Sequence, residues 1–198
     1  MASSPSLVLA SASPRRRELL SRAGVRFEVR PAHIPEERDP GETPASFARR
    51  LARDKALAVA RKLPADGARL VLGADTIVVT DSEVLGKPRD PDHAVELLRR
   101  LVGRDHRVIT AVAVVAPGGG PVHEAVVEST VRMRDATVDE LRAYVSTGES
   151  LDKAGAYALQ GEGRRFVEGV SGSETNVIGL PMEETLGLLR SAGWVEGS

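Results

Sequence analysis

The chain has 198 residues, enough for one domain with a sizeable core or two closely joined lobes. Its 27 basic and 28 acidic residues leave a net charge of −1, so no global field draws it to nucleic acid or to a membrane, and aromatics at 3% supply few stacking platforms for single strands. There is no cysteine, which excludes disulfides, thiol catalysis and thiolate metal sites and agrees with a reducing compartment.

The first apolar run is short and lacks a basic leader, so neither a signal peptide nor a membrane span is expected and the location read from it is cytoplasmic. Leu7-Val8-Leu9-Ala10 predicts a buried strand, followed by a helix with Ser13 as N-cap and Pro14 at its first position. Phe27 to Arg30 predicts a second strand. Thr43 caps a helix opening at Pro44 and running to about Leu63. Leu70 to Val79 is a nearly continuous apolar strand of the kind buried on both faces. Asp90-Pro91 starts a helix holding Ala94, Leu97, Leu98 and Leu101. Arg107 to Val115 and Pro121 to Arg134 predict two strands around the turn Pro117-Gly118-Gly119-Gly120. Thr137-x-x-Glu140 is a capping box whose helix stops near Gly148. Residues 148–181 are Gly-rich and expected to be short-stranded, and a last helix runs from Pro181 to about Ala192. No repeat, low-complexity tract or linker interrupts residues 1–198. The fold class is α/β (mixed α+β), a mixed sheet flanked by helices.

Three features of this pattern point to chemistry. Arg15, Arg16 and Arg17 crowd a helix N-terminus, whose partial positive charge disfavours cations, so they call for an anion. Backbone N–H groups, the Ser13 hydroxyl and forked guanidinium groups make a phosphate seat; the alternative is a solvated basic turn. Arg15 and Arg16 lie one turn before Leu19 and Leu20 and share their inward face, whereas Arg17 points elsewhere.

Lys55 is the second feature. At about 100° per residue, Phe47, Ala48, Leu51, Ala52, Ala58 and Val59 form one apolar arc, and Lys55 falls near its middle while Arg49, Arg50, Arg53 and Arg61 fall opposite. It either snorkels out along its neighbours or delivers an ammonium into a cleft where an anion offsets its desolvation. Asp75 is the third, a carboxylate within a buried apolar strand. It is either a structural group bonded to backbone or paired with an arginine, or a general base or metal ligand. Thr76 beside it can hydrogen-bond a substrate or fill the strand.

Lys87, in the turn Leu85-Gly86-Lys87-Pro88, can reach back over a cleft or be an ordinary surface lysine. Lys153, Gly155 and Gln160 lie in Asp152 to Gly161, where the glycines are expected to permit close approach to a ligand and the Gln160 amide suits a base edge. Glu36 and Glu37 read as a solvated acidic turn. His33, His93, His106 and His123 show no ligand spacing and read as surface or structural. There is no Ser-His or Cys-His pair, Walker A sequence or GxGxxG motif. Several cations, one buried carboxylate and one amide suit water attack on a phosphoanhydride with metal help.

In this order, Ala10-Ser11-Ala12-Ser13-Pro14-Arg15-Arg16, Gly73-Ala74-Asp75-Thr76, Leu85-Gly86-Lys87-Pro88, His106-Arg107-Val108-Ile109-Thr110, the block from Gly148-Glu149 through Asp152-Lys153-Ala154-Gly155-Ala156-Tyr157 to Gln160-Gly161, Gly172-Ser173 and Gly179-Leu180-Pro181 resemble the Maf family, the septum-formation-inhibitor-like nucleoside triphosphate pyrophosphatases. The resemblance runs from Leu7 to about Leu189. It implies an elongated, two-lobed inosine triphosphatase-like fold with a deep central cleft, and hydrolysis between the α- and β-phosphates to a nucleoside monophosphate and pyrophosphate. It also implies a divalent cation, Mg²⁺ or Mn²⁺, with Asp75 and Glu36 as ligands. Asp75 matches the family's proposed general base. Arg15, Thr76 and Gln160 match positions linked to substrate choice, and Ser13, Arg16, Lys55, Lys87 and Lys153 match motif residues around the phosphates and base. The arginine pair with the Gly-Ala-Tyr…Gln block is similar to the branch acting on dTTP and UTP. The sequence departs from the family where His33-Ile34-Pro35-Glu36 stands for Asp-Ile-Asp-Glu, and where Glu174-Thr175 interrupts a Gly-Ser-Tyr-Ser-Asn pattern.

The leading expectation is therefore a house-cleaning enzyme for dTTP, UTP and modified pyrimidine nucleotides, with no stable nucleic-acid or membrane partner. The resemblance implies a homodimer. The alternative is a nucleotide-sensing regulator of cell division that acts through a protein partner. A nucleic-acid binder using Arg15 to Arg17 and Arg49 to Arg53 is disfavoured by the near-zero charge and scarce aromatics.

Overall fold

A computed structural model describes residues 7–64, 69–81, 83–120 and 122–195. Its strands are β1 (Leu7–Leu9), β2 (Glu28–Val29), β3 (Leu70–Thr80), β4 (Glu83–Leu85), β5 (Asp105–Val115), β6 (Val122–Met133) and β7 (Val167–Ser171). They form one seven-stranded mixed sheet in the order β2-β1-β3-β5-β6-β7, with β4 paired to β3. The helices are α1 (Pro14–Arg22), α2 (Pro44–Ala60), α3 (Pro91–Arg99), α4 (Val138–Val145), α5 (Glu174–Ile178) and α6 (Met182–Ser191). The α/β class expected from the alternating pattern is the class observed. Among the described residues no helix is long and apolar enough to cross a membrane.

The chain divides into two compact units. The first comprises Met1–Asp75, Thr110–Val127 and Gly179–Ser198. Within it β1 is fully buried and runs parallel to both neighbours, Val8 opposite Glu28 and Leu7 opposite Leu70. Buried parallel strands read as continuous apolar runs, which is why Leu7 to Leu9 and Leu70 to Leu72 carry no alternation. Ser13 caps α1 and Thr43 caps α2, each with Pro at the first helical position. Helix α2 ends at Ala60 rather than Leu63, because the chain tightens into i→i+3 bonds from Lys62 N–H to Val59 O and from Leu63 N–H to Ala60 O. Pro64 disfavours helical geometry at Leu63.

The second unit comprises Thr76–Ile109 and Glu128–Ile178. Its core gathers Leu97 and Leu98 of α3, Leu141 and Tyr144 of α4, Met133 and Phe166. Asp90 caps α3, and the capping box of α4 has both its bonds, Glu140 N–H to Thr137 Oγ1 at 3.3 Å and Thr137 N–H to Glu140 Oε2 at 2.8 Å. Strand β4 was not legible. It pairs antiparallel with the end of β3, Val79 opposite Val84, after a turn in which Asp81 has φ of 51°, a conformation Asp tolerates. The strand start expected at Pro121 lies outside the described residues.

Residues 148–181 correct the short-stranded expectation. They hold one strand, β7, antiparallel to β6, together with 3₁₀ turns at Ala154–Ala156 and Glu162–Phe166 and the short α5. Side chains here take the hydrogen bonds that a sheet would otherwise supply: the N–H groups of Glu162 and Gly163 go to the Glu149 carboxylate.

Candidate active site

The first unit holds an ionic cluster built from α2, β3 and the segment after β2. Asp75 is 6% exposed at the point where β3 leaves this unit, and Lys55 of α2 is 8% exposed. Lys55 Nζ lies 2.6 Å from Asp75 Oδ1 and 2.6 Å from Glu36 Oε1. The lysine therefore does not snorkel to solvent. Its charge is offset by two carboxylates, one buried and one half exposed, which is the condition for holding an ammonium at such depth. Asp75 is ion-paired with this lysine. Glu36, expected in a solvated turn, reaches the cluster.

The three arginines at the start of α1 separate as the wheel predicts: Arg16 is buried, Arg15 half-buried and Arg17 exposed. Ser13 Oγ accepts from Arg16 N–H, closing the helix cap. The Arg16 guanidinium donates from Nε to Gly179 O at 2.8 Å and from Nη1 to Ala74 O at 2.8 Å and Ser11 Oγ at 3.1 Å. Burial pulls its pKa down and Arg15 adds to that, while the charges of Asp75 and Glu36 oppose the fall. The anionic compensation that the crowded arginines call for is thus partly built in: two carboxylates share their field, and Arg16 spends donors on carbonyls, one of them beside Asp75.

The remaining candidates belong to the second unit. Thr76 follows Asp75 in β3, and Lys87 is exposed on the turn after β4. Lys153 donates to Glu149 O at 2.6 Å and also pairs with Asp152. Gln160 is half-buried. The glycines around them pack closely against protein. Gly155 has φ of +68°, donates to Gly86 O, and an added Cβ would stand 3.0 Å from Val78 Cγ1 and 3.2 Å from Leu101 Cδ1. Gly161, with φ of +107°, lies against the Glu149 carboxylate, whose Cδ would be 2.9 Å from a Cβ.

Two anchors of this loop carried no sequence signal of their role. The Glu149 carboxylate accepts from Tyr144 Oη at 2.9 Å, Glu162 N–H at 2.8 Å and Gly163 N–H at 3.0 Å. Burial works against its charged form, but these three bonds outweigh that and its pKa falls. His106, read as surface or structural, is structural. It is 2% exposed, its Nε2 is 2.7 Å from Tyr157 Oη, and the rings meet edge to face. Burial lowers its pKa to about 4, so it is neutral at pH 7. Gly73 was also missed: an added Cβ would meet the Ala52 carbonyl and stand 2.7 Å from Ala56 N.

A sequence profile described as Maf-like protein matches residues 6–192. The chain belongs to the Maf family. Among its relatives, a protein of Anaeromyxobacter dehalogenans named dTTP/UTP pyrophosphatase is 54% identical over 195 residues, covering 96% of this chain and 95% of its own. A protein of Geobacter sulfurreducens with the same name is 52% identical over 190 residues, covering 94% and 96%. One of Myxococcus xanthus, again so named, is 50% identical over 187 residues, covering 94% and 92%.

Whether the Maf cluster suits a divalent cation can be judged from its donors. Among the described residues no group of three or more His, Asp or Glu converges as a ready-made metal site. The two carboxylates Glu36 and Asp75 do converge, since one ammonium nitrogen touches both at 2.6 Å. Two hard oxygen donors fit Mg²⁺ or Mn²⁺, which commonly take one or two carboxylates and complete their shell with water and phosphate oxygens.

Proposed function

We propose that this Maf protein hydrolyses dTTP and UTP, and modified pyrimidine nucleoside triphosphates, to the nucleoside monophosphate and pyrophosphate. The observation that carries the reading is the buried Lys55–Asp75 pair at 2.6 Å with Glu36 on the same ammonium. It places a carboxylate and a cation in one spot of a chain about half identical to proteins named for that activity.

The chemistry needs a water oriented on the α–β phosphoanhydride, a proton acceptor and charge to stabilise the leaving pyrophosphate. Asp75 orients the water and takes its proton on its carboxylate. The water oxygen ends on one phosphate of the cleaved bond, and the bridging oxygen leaves with the other. Lys55 and Arg15 bind phosphate oxygens together with the Ser13 end of α1, whose dipole favours negative charge. By the family resemblance, Lys87 and Lys153 serve phosphate binding, and Thr76 and Gln160 serve substrate choice. Glu36 and Asp75 would hold Mg²⁺ or Mn²⁺, which when bound supplies charge neutralisation on the phosphates. Arg16, with three donor bonds to protein, orders the wall of the site. The soluble nucleotide pool as substrate supports a cytoplasmic location, and the family resemblance supports a homodimer.

The test is pyrophosphate release from a panel of nucleoside triphosphates with Mg²⁺ or Mn²⁺, for wild type and Asp75→Ala. Release from dTTP and UTP that disappears in the variant supports the activity and the role of Asp75. Release from a purine triphosphate alone keeps the chemistry and overturns the pyrimidine preference. No release from any nucleotide overturns the reading.

A further inference from the structure

The loop that carries Lys153 and Gln160 is tied at both ends to one residue. The Glu149 carbonyl accepts from Lys153 Nζ at 2.6 Å. Its carboxylate accepts from the backbone of Glu162 and Gly163, two and three residues after Gln160. Between these ends the loop is pinned by Gly155 N–H on Gly86 O and by Tyr157 Oη on His106 Nε2. Those inner pins hold the loop to the core. The Glu149 ties differ because they act on the chain immediately beside the two residues read as nucleotide contacts.

Gly161 makes the tie short. Its φ of +107° and lack of a Cβ let the backbone after Gln160 lie directly against the carboxylate. Tyr144 of α4, packed edge to face on Phe166 in the core, donates to Oε1 and fixes the carboxylate's rotamer. A residue that only closed a loop would need one such bond. Three donors converge here from a helix and from two successive peptide groups, so the carboxylate sets the direction of the chain at Gln160 as well as its end-to-end distance.

We propose that Glu149 is the positioning residue for nucleobase discrimination, holding Gln160 in register through the backbone of Glu162 and Gly163 and holding Lys153 through its own carbonyl. The proposal rests on the reading that Gln160 meets the base. Hydrogen-bond readout tolerates little displacement, and an error of about 1 Å can cost up to roughly a hundredfold in rate. Glu149→Gln is the informative change. A neutral amide cannot accept from both peptide N–H groups, because its own NH₂ would face one of them.

The experiment measures kcat/KM for UTP, dTTP, CTP and GTP with wild type, Glu149→Gln, Gln160→Ala and the double variant. The expected result is a loss of roughly ten- to a hundredfold for UTP and dTTP in Glu149→Gln, carried by KM. CTP and GTP should change less, so the discrimination ratio flattens. In the Gln160→Ala background, Glu149→Gln should leave that ratio unchanged, because the two act through one contact. Tyr144→Phe, which removes one donor and keeps both backbone N–H hydrogen bonds to Glu149, should move the ratio in the same direction by less, and it serves if Glu149→Gln fails to fold. Equal losses for all four nucleotides, or independent effects in the double variant, overturn the proposal and leave Glu149 a structural staple. If Gln160→Ala keeps the wild-type ratio, base reading by Gln160 fails first and the proposal falls with it. If Gln160→Ala loses the ratio while Glu149→Gln and Tyr144→Phe keep it, the proposal alone fails.

Discussion

Gly73 of β3 lies so close to Ala52 of α2 that a single added carbon would collide with the Ala52 carbonyl oxygen. The strand side chain two residues on shares its face, and that residue is Asp75. Ala52 and Ala56 flank Lys55 along the helix, and both are fully buried. Small residues on both elements thus bring backbone to backbone, and this close approach lets a lysine from the helix reach a carboxylate on the strand at 2.6 Å.

Gly73→Ala tests that arrangement. The new methyl group meets main-chain atoms of Ala52 and Ala56, which have no rotamer to yield. Overpacking of this kind costs about 1–3 kcal/mol and sometimes more. The helix must lift from the strand, which lengthens the Lys55–Asp75 contact, so pyrophosphate release should fall along with the urea midpoint. Retention of both would show that α2 can shift without disturbing the pair.

Removing one member of the pair should cost more than removing both. Lys55→Met leaves Asp75 buried without its counter-charge, a change worth about 3–5 kcal/mol in buried pairs. Lys55→Met combined with Asp75→Asn should recover much of that in urea unfolding, with a coupling of about 1–3 kcal/mol. The ammonium and a divalent cation compete for the same two oxygens. Lys55→Met, under conditions where it is folded, should therefore bind Mn²⁺ more tightly than wild type in the absence of nucleotide, as read by the loss of the free-ion spectrum in electron paramagnetic resonance. Weaker binding would place the cation elsewhere.

Arg15 and Arg16 should respond in opposite ways. Arg16→Lys loses the fork that joins Ala74 O, Gly179 O and Ser11 Oγ, and hydrogen bonds from charged donors are worth about 1.5–3 kcal/mol each. A drop of about 2–4 kcal/mol in stability is expected, with kcat falling because the carbonyl beside Asp75 is released. Arg15→Ala should change stability by less than about 0.5 kcal/mol and act on KM for the triphosphate. Thermal unfolding and steady-state kinetics on the two variants distinguish these outcomes.

The helix caps, the apolar strands and the inward direction of Lys55 were legible because each depends on neighbours within a turn or two. Asp75 stood out because it is a lone carboxylate in an apolar run. That Lys55 and Asp75 choose each other was not legible, since the sequence left solvent or an anion for Lys55 and backbone, an arginine, a substrate water or a metal for Asp75, and the choice depends on how closely α2 docks. The groups that answer the arginines were hidden for the same reason. Local electrostatics at the start of α1 demands negative charge, but the carboxylates that answer it come from distant positions, Glu36 and Asp75. Glu149 escaped notice because the groups it binds are peptide N–H groups, which every residue but proline owns.

His106 gives the protein an acid sensitivity that can be assigned to one side chain. In the fold it is buried against Tyr157, and its pKa is lowered from 6.5 to about 4 by the loss of hydration. Between those values the unfolded chain binds a proton at this residue that the folded chain does not, so stability rises with pH across the window and falls as pH drops from 6.5 toward 4. Below about 4 both states are protonated at this site and its contribution levels off. The shift corresponds to roughly 3 kcal/mol at the acid end. His106→Gln keeps a polar group beside the Tyr157 hydroxyl and cannot titrate. It should be less stable than wild type at pH 7.5, where the edge-to-face contact is lost, yet show a shallower decline between pH 6.5 and 4.5. Urea unfolding at half-unit pH steps measures the slope, and the difference between the two proteins should approach one proton near pH 5. Parallel slopes would mean that His106 is protonated as readily in the fold as out of it, and that its environment is wetter than its burial indicates.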